Sequence, residues 1–296
     1  MPGTRCELDT PVGRVAVYHS EGGAVLAGDS LSPVPLLLVH SINASGSAAE
    51  VAPLYHHYYE SRAVYAVDLP GYGFSDRSER PYLPRLMTDA LHAVIAHMCQ
   101  RQGVSAVDVL AVSLSGEFAA RAQCEAPGTI RRLALVSPTG FSGRRRRYGP
   151  PGSTLGVHAL YRLFTWPFWT EGIFRLLTRP GVIRYFLRRT WGSRTIDEAL
   201  WRYAVITTGQ PGARHAPLRF LSAYLFSADI NTLYEAIQCP VWVSMATRGD
   251  FTDYQGRTTL KGRPNWQFHA VPGGALPYCE PQSGFAPLLD AFWRMP

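Results

Sequence analysis

The sequence has a single lysine, no CxxC pair of cysteines and no long hydrophobic run. Lys261 is the one lysine among 29 basic residues, so the formal net charge of +7 is carried by arginine. The five cysteines are scattered and odd in number, which disfavours a disulfide framework and a zinc site. The longest apolar stretches, such as residues 34–39, are far shorter than the roughly 20 residues that span a bilayer. Residues 1–9 lack the apolar core of a secretory signal, so we expect a cytoplasmic protein.

Motifs for cofactors and nucleic acids are also missing. The sequence contains no Gly-x-Gly-x-x-Gly spacing, no phosphate-binding loop and no cluster of residues with metal-ligand spacing. The four-arginine run at 144–147 belongs to no recognised nucleic-acid-binding module. We therefore expect no cofactor, no metal and no nucleic-acid partner, and the sequence makes no prediction of the oligomeric state.

Short apolar runs alternate with helix-length amphipathic segments over most of the chain. With 46% hydrophobic residues, the sequence can bury a large core. The alternation predicts an α/β fold with a mostly parallel central sheet flanked by helices. Strands are predicted near 12–19, 34–39, 63–68, 106–112, 131–137, 239–245 and 265–271. Helices are predicted near 46–58, 84–101, 114–126 and from about 281 onwards.

This alternation is interrupted by residues 141–229, which are rich in arginine and carry 16 aromatic residues. We predict that they form a helical cap, entered through a flexible basic hinge and inserted into one core made of residues 1–140 and 230–296. Arginine beside aromatic side chains suits a pocket for an apolar acyl group with an acidic end, or peripheral contact with an anionic membrane. The alternative is that the aromatic residues pack the cap onto the core and the arginines are simply solvated.

Residues 106–118 predict a strand, a sharp turn and a helix, with Ser113 at the turn. A nucleophile on such a turn has a strained backbone, so the residues two before and two after it must be small. Ala111 and Ser115 meet this requirement. Ser115 as the nucleophile would not meet it, because Glu117, two residues after Ser115, is too bulky for the turn. Ser113 is the candidate nucleophile, and an ordinary serine cap of the helix is the alternative.

Three further segments resemble signatures of the α/β-hydrolase family. Residues 37–45 (LLVHSINAS) resemble its His-Gly-containing oxyanion loop, and residues 67–76 (VDLPGYGFSD) are similar to its Asp-x-Pro-Gly-x-Gly-x-Ser turn. Residues 135–138 (LVSP), which come after the strand that leads into Ser113, are the last of these signatures, and all of them occur in order and at normal spacing. The resemblance covers nearly the whole chain outside the predicted cap and implies the α/β-hydrolase fold.

The resemblance also implies roles for residues near Ser113. The backbone N–H of Leu114, with that of Ser41 or Ile42, would stabilise the oxyanion of a tetrahedral intermediate. His40 resembles the histidine that organises the oxyanion loop in the family, and we do not assign it as a base.

The resemblance places the acid of a catalytic triad in the loop after the strand near 239–245. Asp250 matches best and Asp253 is the alternative, whereas a turn role for both is the other interpretation. Residues 270–281 resemble the family's Gly-His-x-Pro-x-x-Glu-x-Pro loop. The register of that loop puts Ala275 at the position of the catalytic histidine.

Without a base, the Ser113 hydroxyl keeps an alcohol-like pKa and attacks poorly. Ala275 has three explanations: an engineered replacement, a natural loss or change of chemistry, and a base that has moved. His269 is the nearest histidine in the sequence, but it lies on a predicted strand, which favours a structural role. A cap histidine such as His158 or His215 is a further candidate.

The sequence thus favours a serine-dependent carboxylic-ester hydrolase with an apolar substrate of small or medium size, using Ser113 and Asp250. A nucleophile that is serine disfavours an aspartate-dependent dehalogenase or epoxide hydrolase. The alternative hypothesis, motivated by Ala275, is a hydrolase-like protein that binds a ligand under the cap without hydrolysing it.

Overall fold

The computed structural model describes residues 1–22, 34–191, 195–248 and 252–295. Its centre is an eight-stranded sheet in the order β1-β2-β4-β3-β5-β6-β7-β8. β2 is antiparallel to β1 and β4, and the remaining neighbours are parallel. The strands are β1 (Thr4–Thr10), β2 (Gly13–Ser20), β3 (Leu36–Val39), β4 (Val64–Val67), β5 (Val107–Val112), β6 (Ile130–Val136), β7 (Val241–Ala246) and β8 (Trp266–Val271).

Helices cover the sheet and fill the chain between β6 and β7. They are α1 (Ala52–Tyr58), α2 (Pro84–Gln102), α3 (Ser115–Glu125), α4 (His158–Phe164), α5 (Thr170–Leu177), α6 (Pro180–Trp191), α7 (Glu198–Thr208), α8 (His215–Leu221), α9 (Ile230–Ala236) and α10 (Phe285–Trp293). The predicted α/β class, with its mostly parallel sheet, is confirmed. Within the described ranges, no helix is both long and apolar enough to cross a membrane.

The central strands are buried on both faces. Along β5, Val109 and Ala111 belong to the core under α2 and α3, whereas Leu110 and Val112 belong to the core under α1 and α10. A strand covered on both faces reads as a continuous apolar run, which is why the sequence predicts these strands well. β1 is missed because it is a polar edge strand with no such run.

Candidate active site

Ser113 lies at the carboxyl end of β5, two residues before α3 begins. Its φ is 55°, in the left-handed region that residues other than glycine rarely adopt. Its backbone N–H donates to the Val136 carbonyl at 2.8 Å, which ties the turn to the end of β6. Ser113 therefore has the strained strand-to-helix backbone that a nucleophile elbow requires.

The predicted oxyanion loop is joined to this turn through Ser115 and His40. The buried Ser115 hydroxyl donates to the His40 carbonyl at 2.5 Å. His40 Nε2 accepts the Leu69 N–H at 3.1 Å, so Nδ1 carries the proton and donates to the Ser41 carbonyl at 2.6 Å. Both ring nitrogens are used within the loops, so His40 has no nitrogen left to take a proton from Ser113.

The glycine-containing turn after β4 is built around the buried carboxylate of Asp68. This carboxylate accepts the backbone N–H groups of Ala48 at 2.7 Å and Phe74 at 2.9 Å. Gly73 has a φ of +51°, and a Cβ there would lie 1.9 Å from Asp68 Cγ. Only glycine fits beside the carboxylate, which explains the motif that the sequence shows.

The structure distinguishes the two loop residues considered as oxyanion donors. The Ser41 N–H donates to Glu50 Oε1 at 2.7 Å, and the Ser41 hydroxyl donates to Glu50 Oε2 at 2.8 Å. The N–H groups of Ile42 and Leu114 have no acceptor within the described parts of the chain. Of the three predicted oxyanion donors, the N–H groups of Ile42 and Leu114 are thus without an acceptor there, whereas the Ser41 N–H is already occupied.

Glu50 is a site residue that the sequence analysis missed. Its side chain is buried, and this burial raises the pKa of the carboxyl group, although His40 and the donors on Ser41 and Asn43 act in the opposite direction. The available signal was one acidic residue within the otherwise apolar stretch 48–54. A carboxylate in such a stretch needs a buried hydrogen-bond donor as partner.

We expect the Glu50→Gln variant to change the pH dependence of stability. A folded-state pKa above the ordinary value means that the folded protein binds more protons, so its stability falls as pH rises from the ordinary pKa to the raised one. The free energy of unfolding of wild type relative to Glu50→Gln should therefore fall with rising pH. Urea unfolding at several pH values from roughly 4.5 to 7.5 measures this difference.

Glu125→Gln is the control for Glu50→Gln. Burial acts to raise the pKa of Glu125, but its bonds to Arg85 and His92 lower it overall, so no fall is expected over the same range. If the free energy of unfolding of wild type relative to Glu50→Gln rose with pH instead, the hydrogen-bond donors on Ser41 would lower the pKa of Glu50 more than burial raises it.

The structure places only one of the two candidate triad acids. Asp250 lies outside the described residues. Asp253 is exposed, and its Oδ1 accepts the N–H groups of Gly143 at 2.9 Å and Gln255 at 3.0 Å, which lower the pKa of its carboxyl group. These contacts agree with the turn interpretation of Asp253, because its carboxylate joins the loop after β7 to residues that follow β6.

Ala275 lies in a loop that is held from two directions. Glu280 Oε1 accepts the Gly274 N–H at 2.9 Å, and Glu280 Oε2 accepts from Arg248 at 2.8 Å. From the other side, the Ala275 N–H donates to the Thr190 carbonyl of α6 at 2.8 Å. Ala275 is 4% exposed. Glu280 thus closes the loop that contains Ala275.

All nine histidines lie in the described ranges, and in those ranges none of them hydrogen-bonds to Ser113. His269 stacks on Trp242 with ring centroids 5.4 Å apart, and burial lowers its pKa. His158 lies 3.5 Å from the Tyr224 hydroxyl. His57 and His92 approach Asp290 and Glu125.

The helix that follows Ser113 is also linked to the predicted cap hinge. Arg147 Nη2 donates to the buried carboxylate of Glu117 at 2.6 Å, and the same carboxylate accepts the Ser227 N–H at 2.8 Å. A second buried pair joins Arg121 to Asp229 at 2.6 Å. The predicted hinge is therefore fixed at Arg147 rather than free, and one residue of the arginine run has a structural role.

Comparison with known proteins agrees with this geometry. Residues 34–186 match the sequence model of a family described as alpha/beta hydrolase fold. The dihydrolipoyllysine-residue acetyltransferase component of the acetoin cleaving system of Cupriavidus necator is 33% identical over 82 residues. That match covers 28% of this chain and 21% of the relative, so the chain spans about a fifth of that protein.

Two solved structures illustrate the shared fold. A thermophilic esterase from Thermogutta terrifontis has a TM-score of 0.69 at 16% identity, with 99% of this chain and 98% of that one covered. The epoxide hydrolase CorEH has a TM-score of 0.71 at 19% identity, with 98% of each chain covered. At such identities the likeness shows the fold alone.

Proposed function

The chain belongs to the α/β-hydrolase fold family, and we propose that it is a serine-dependent hydrolase of carboxylic esters with small or medium apolar acyl groups. The observation that carries this proposal is the backbone of Ser113, whose φ of 55° puts a hydroxyl on the sharp turn between β5 and α3. The aromatic residues between β6 and β7 support an apolar acyl group in the substrate.

In the proposed reaction, Ser113 Oγ attacks the ester carbonyl carbon. The carbonyl oxygen becomes an oxyanion that accepts the N–H groups of Ile42 and Leu114. The bond from the carbonyl carbon to the alkoxy oxygen then breaks, and the alcohol leaves with the proton that Ser113 Oγ gives up. Water then hydrolyses the acyl-enzyme, which releases the acid and returns a proton to Ser113. We retain Asp250 as the proposed triad acid that would orient a base.

The proton on Ser113 Oγ is the weak point of this reaction. The Ala275 methyl group cannot accept a proton, and the described histidines all lie without a hydrogen bond to Ser113. We therefore expect slow turnover that depends on binding and on the oxyanion donors, rather than on general-base assistance.

Ala275 and the arrangement of the histidines also favour a second candidate function. A protein with this site could bind a carbonyl ligand near Ser113 and release it without reaction. Its oxyanion donors would then serve affinity instead of catalysis. This candidate predicts that the Ser113 hydroxyl is unreactive towards electrophiles.

Fluorophosphonate labelling distinguishes the two functions. On the hydrolase proposal, the reagent should slowly modify one residue, because its phosphoryl oxygen fits the same donors as an ester oxyanion. Peptide mass spectrometry should place the label on Ser113, and Ser113→Ala should abolish it. No labelling of the folded wild type over hours would support the non-hydrolytic function. Labelling at another serine would exclude Ser113 as the nucleophile.

A further inference from the structure

An aromatic surface is exposed around the loop between α4 and α5. Phe168 is 88% exposed, and Trp166 and Trp169 are each 43% exposed. The Trp166 ring centroid lies 6.4 Å from that of Phe168 and 6.1 Å from that of Trp169. Trp169 Nε1 donates to the Leu163 carbonyl at 2.7 Å, which holds the loop in place. Scattered exposed apolar side chains are ordinary, but three exposed aromatic rings in one cluster indicate a binding surface. We call residues 163–169 the aromatic tip.

The charge around the aromatic tip is strongly positive. Residues 158–191, which form α4, α5 and α6, contain six arginines and one acidic residue, Glu171. A partner that covers the tip must therefore tolerate or complement positive charge. This requirement favours an anionic surface over a neutral or basic one.

A cleft lined by arginine includes residues of α5, the helix that follows the tip. Its volume is about 470 Å³, and its walls include Arg175, Arg179 and Arg214. Glu171 approaches Arg175 at 3.1 Å and Arg214 at 3.3 Å, which leaves a net positive charge in the cleft. Along α5, Arg175 is roughly 9 Å from Trp169 at the usual helical rise. Guanidinium groups bind phosphate oxygens through charge-assisted hydrogen bonds.

We propose that the aromatic tip and the arginine-lined cleft together dock the protein on an anionic phospholipid bilayer. The aromatic rings enter the interfacial region, and the arginines bind headgroup phosphates. Neither part depends on catalysis at Ser113, so this inference stands or falls separately from the proposed hydrolase function. It assigns the exposed aromatic and arginine side chains of the tip and the cleft to the membrane contact that the sequence leaves open for this segment.

Vesicle flotation tests the proposal. The protein should float with vesicles of phosphatidylcholine and phosphatidylglycerol at least tenfold more than with phosphatidylcholine alone, and high salt should weaken this binding. Phe168→Ser should lower partitioning roughly tenfold, since it removes an apolar ring from the interface. Arg179→Gln should lower it about fivefold.

Two variants of exposed residues outside the aromatic tip and the cleft are matched controls. Leu288→Ser removes an exposed apolar side chain from α10, and Arg294→Gln removes an exposed arginine that follows it. Both should bind vesicles like wild type. Because Phe168 and Arg179 are exposed, their variants should keep the wild-type circular dichroism spectrum.

Several results would overturn membrane docking. These are no flotation with either vesicle, equal flotation with both, and unchanged partitioning of Phe168→Ser. Loss of binding in Arg179→Gln alone would indicate a phosphate site without interfacial insertion. A concentration-dependent dimer that Phe168→Ser dissolves, in a protein that ignores vesicles, would assign the tip to self-association.

Discussion

Replacement of Ala275 by histidine is expected to raise the rate of p-nitrophenyl ester hydrolysis about 10²- to 10⁴-fold, the usual contribution of general acid–base assistance. The variant would supply the proton acceptor that Ser113 lacks. Its loop is already closed by Glu280, which accepts the Gly274 N–H at 2.9 Å. The Ala275 N–H donates to the Thr190 carbonyl at 2.8 Å. This backbone hydrogen bond does not involve the side chain of residue 275, so it is compatible with histidine there.

The pH profile identifies the new group. An imidazole accepts a proton only when neutral, so the rate of Ala275→His should rise with pH through about 6.5, the ordinary pKa of histidine. The wild type has no such group at this position, and its rate should lack that step. Initial rates over a pH series, corrected for spontaneous hydrolysis, measure the difference.

Two control variants accompany Ala275→His. Ala275→Gln adds a side chain of similar size without a basic nitrogen and should give no gain. Ser113→Ala in the Ala275→His background should remove the gain, because nucleophile and base act as one unit. A folded Ala275→His protein that hydrolyses esters no faster than wild type would mean that the assigned loop register is wrong or that the site serves another chemistry.

The second large effect is expected at the opposite end of β5, where Asp108→Asn should lower the free energy of unfolding by about 3–5 kcal/mol. Asp108 is fully buried and accepts from Arg62 at 2.6 Å, whose side chain is also 0% exposed. Arg131 donates to the same carboxylate at 2.7 Å and 2.9 Å. Removal of the negative charge leaves Arg62 buried without its counterion.

Urea unfolding of Asp108→Asn and wild type measures this loss. Glu125→Gln is the matched control, since it removes a carboxylate from an exposed pair with Arg85 and should cost at most about 1 kcal/mol. An equally small cost at Asp108 would show that Arg62 is neutralised or hydrated once its partner is gone.

The fold and the position of Ser113 could be predicted because both depend on local patterns. Strands buried on two faces appear as apolar runs, and a nucleophile elbow needs small residues at fixed offsets, here Ala111 and Ser115. The glycine-containing turn is equally local, since Gly73 and the Asp68 that excludes a side chain there are five residues apart. β1 was missed because an exposed edge strand imposes no apolar pattern.

The sequence by itself thus determined the α/β class and the strand-to-helix turn at Ser113. It also proposed Ser41 and Ile42 as alternative oxyanion donors that would act together with Leu114. Only the tertiary structure decided that Glu50 occupies the Ser41 N–H and leaves that of Ile42 free. It also decided that Arg147 is fixed to Glu117, while Arg144, Arg145 and Arg146 of the same run are exposed. The physical reason is that a hydrogen bond or ion pair requires two groups within about 3 Å. Composition and spacing show that such groups exist, but chain folding alone determines which of them meet.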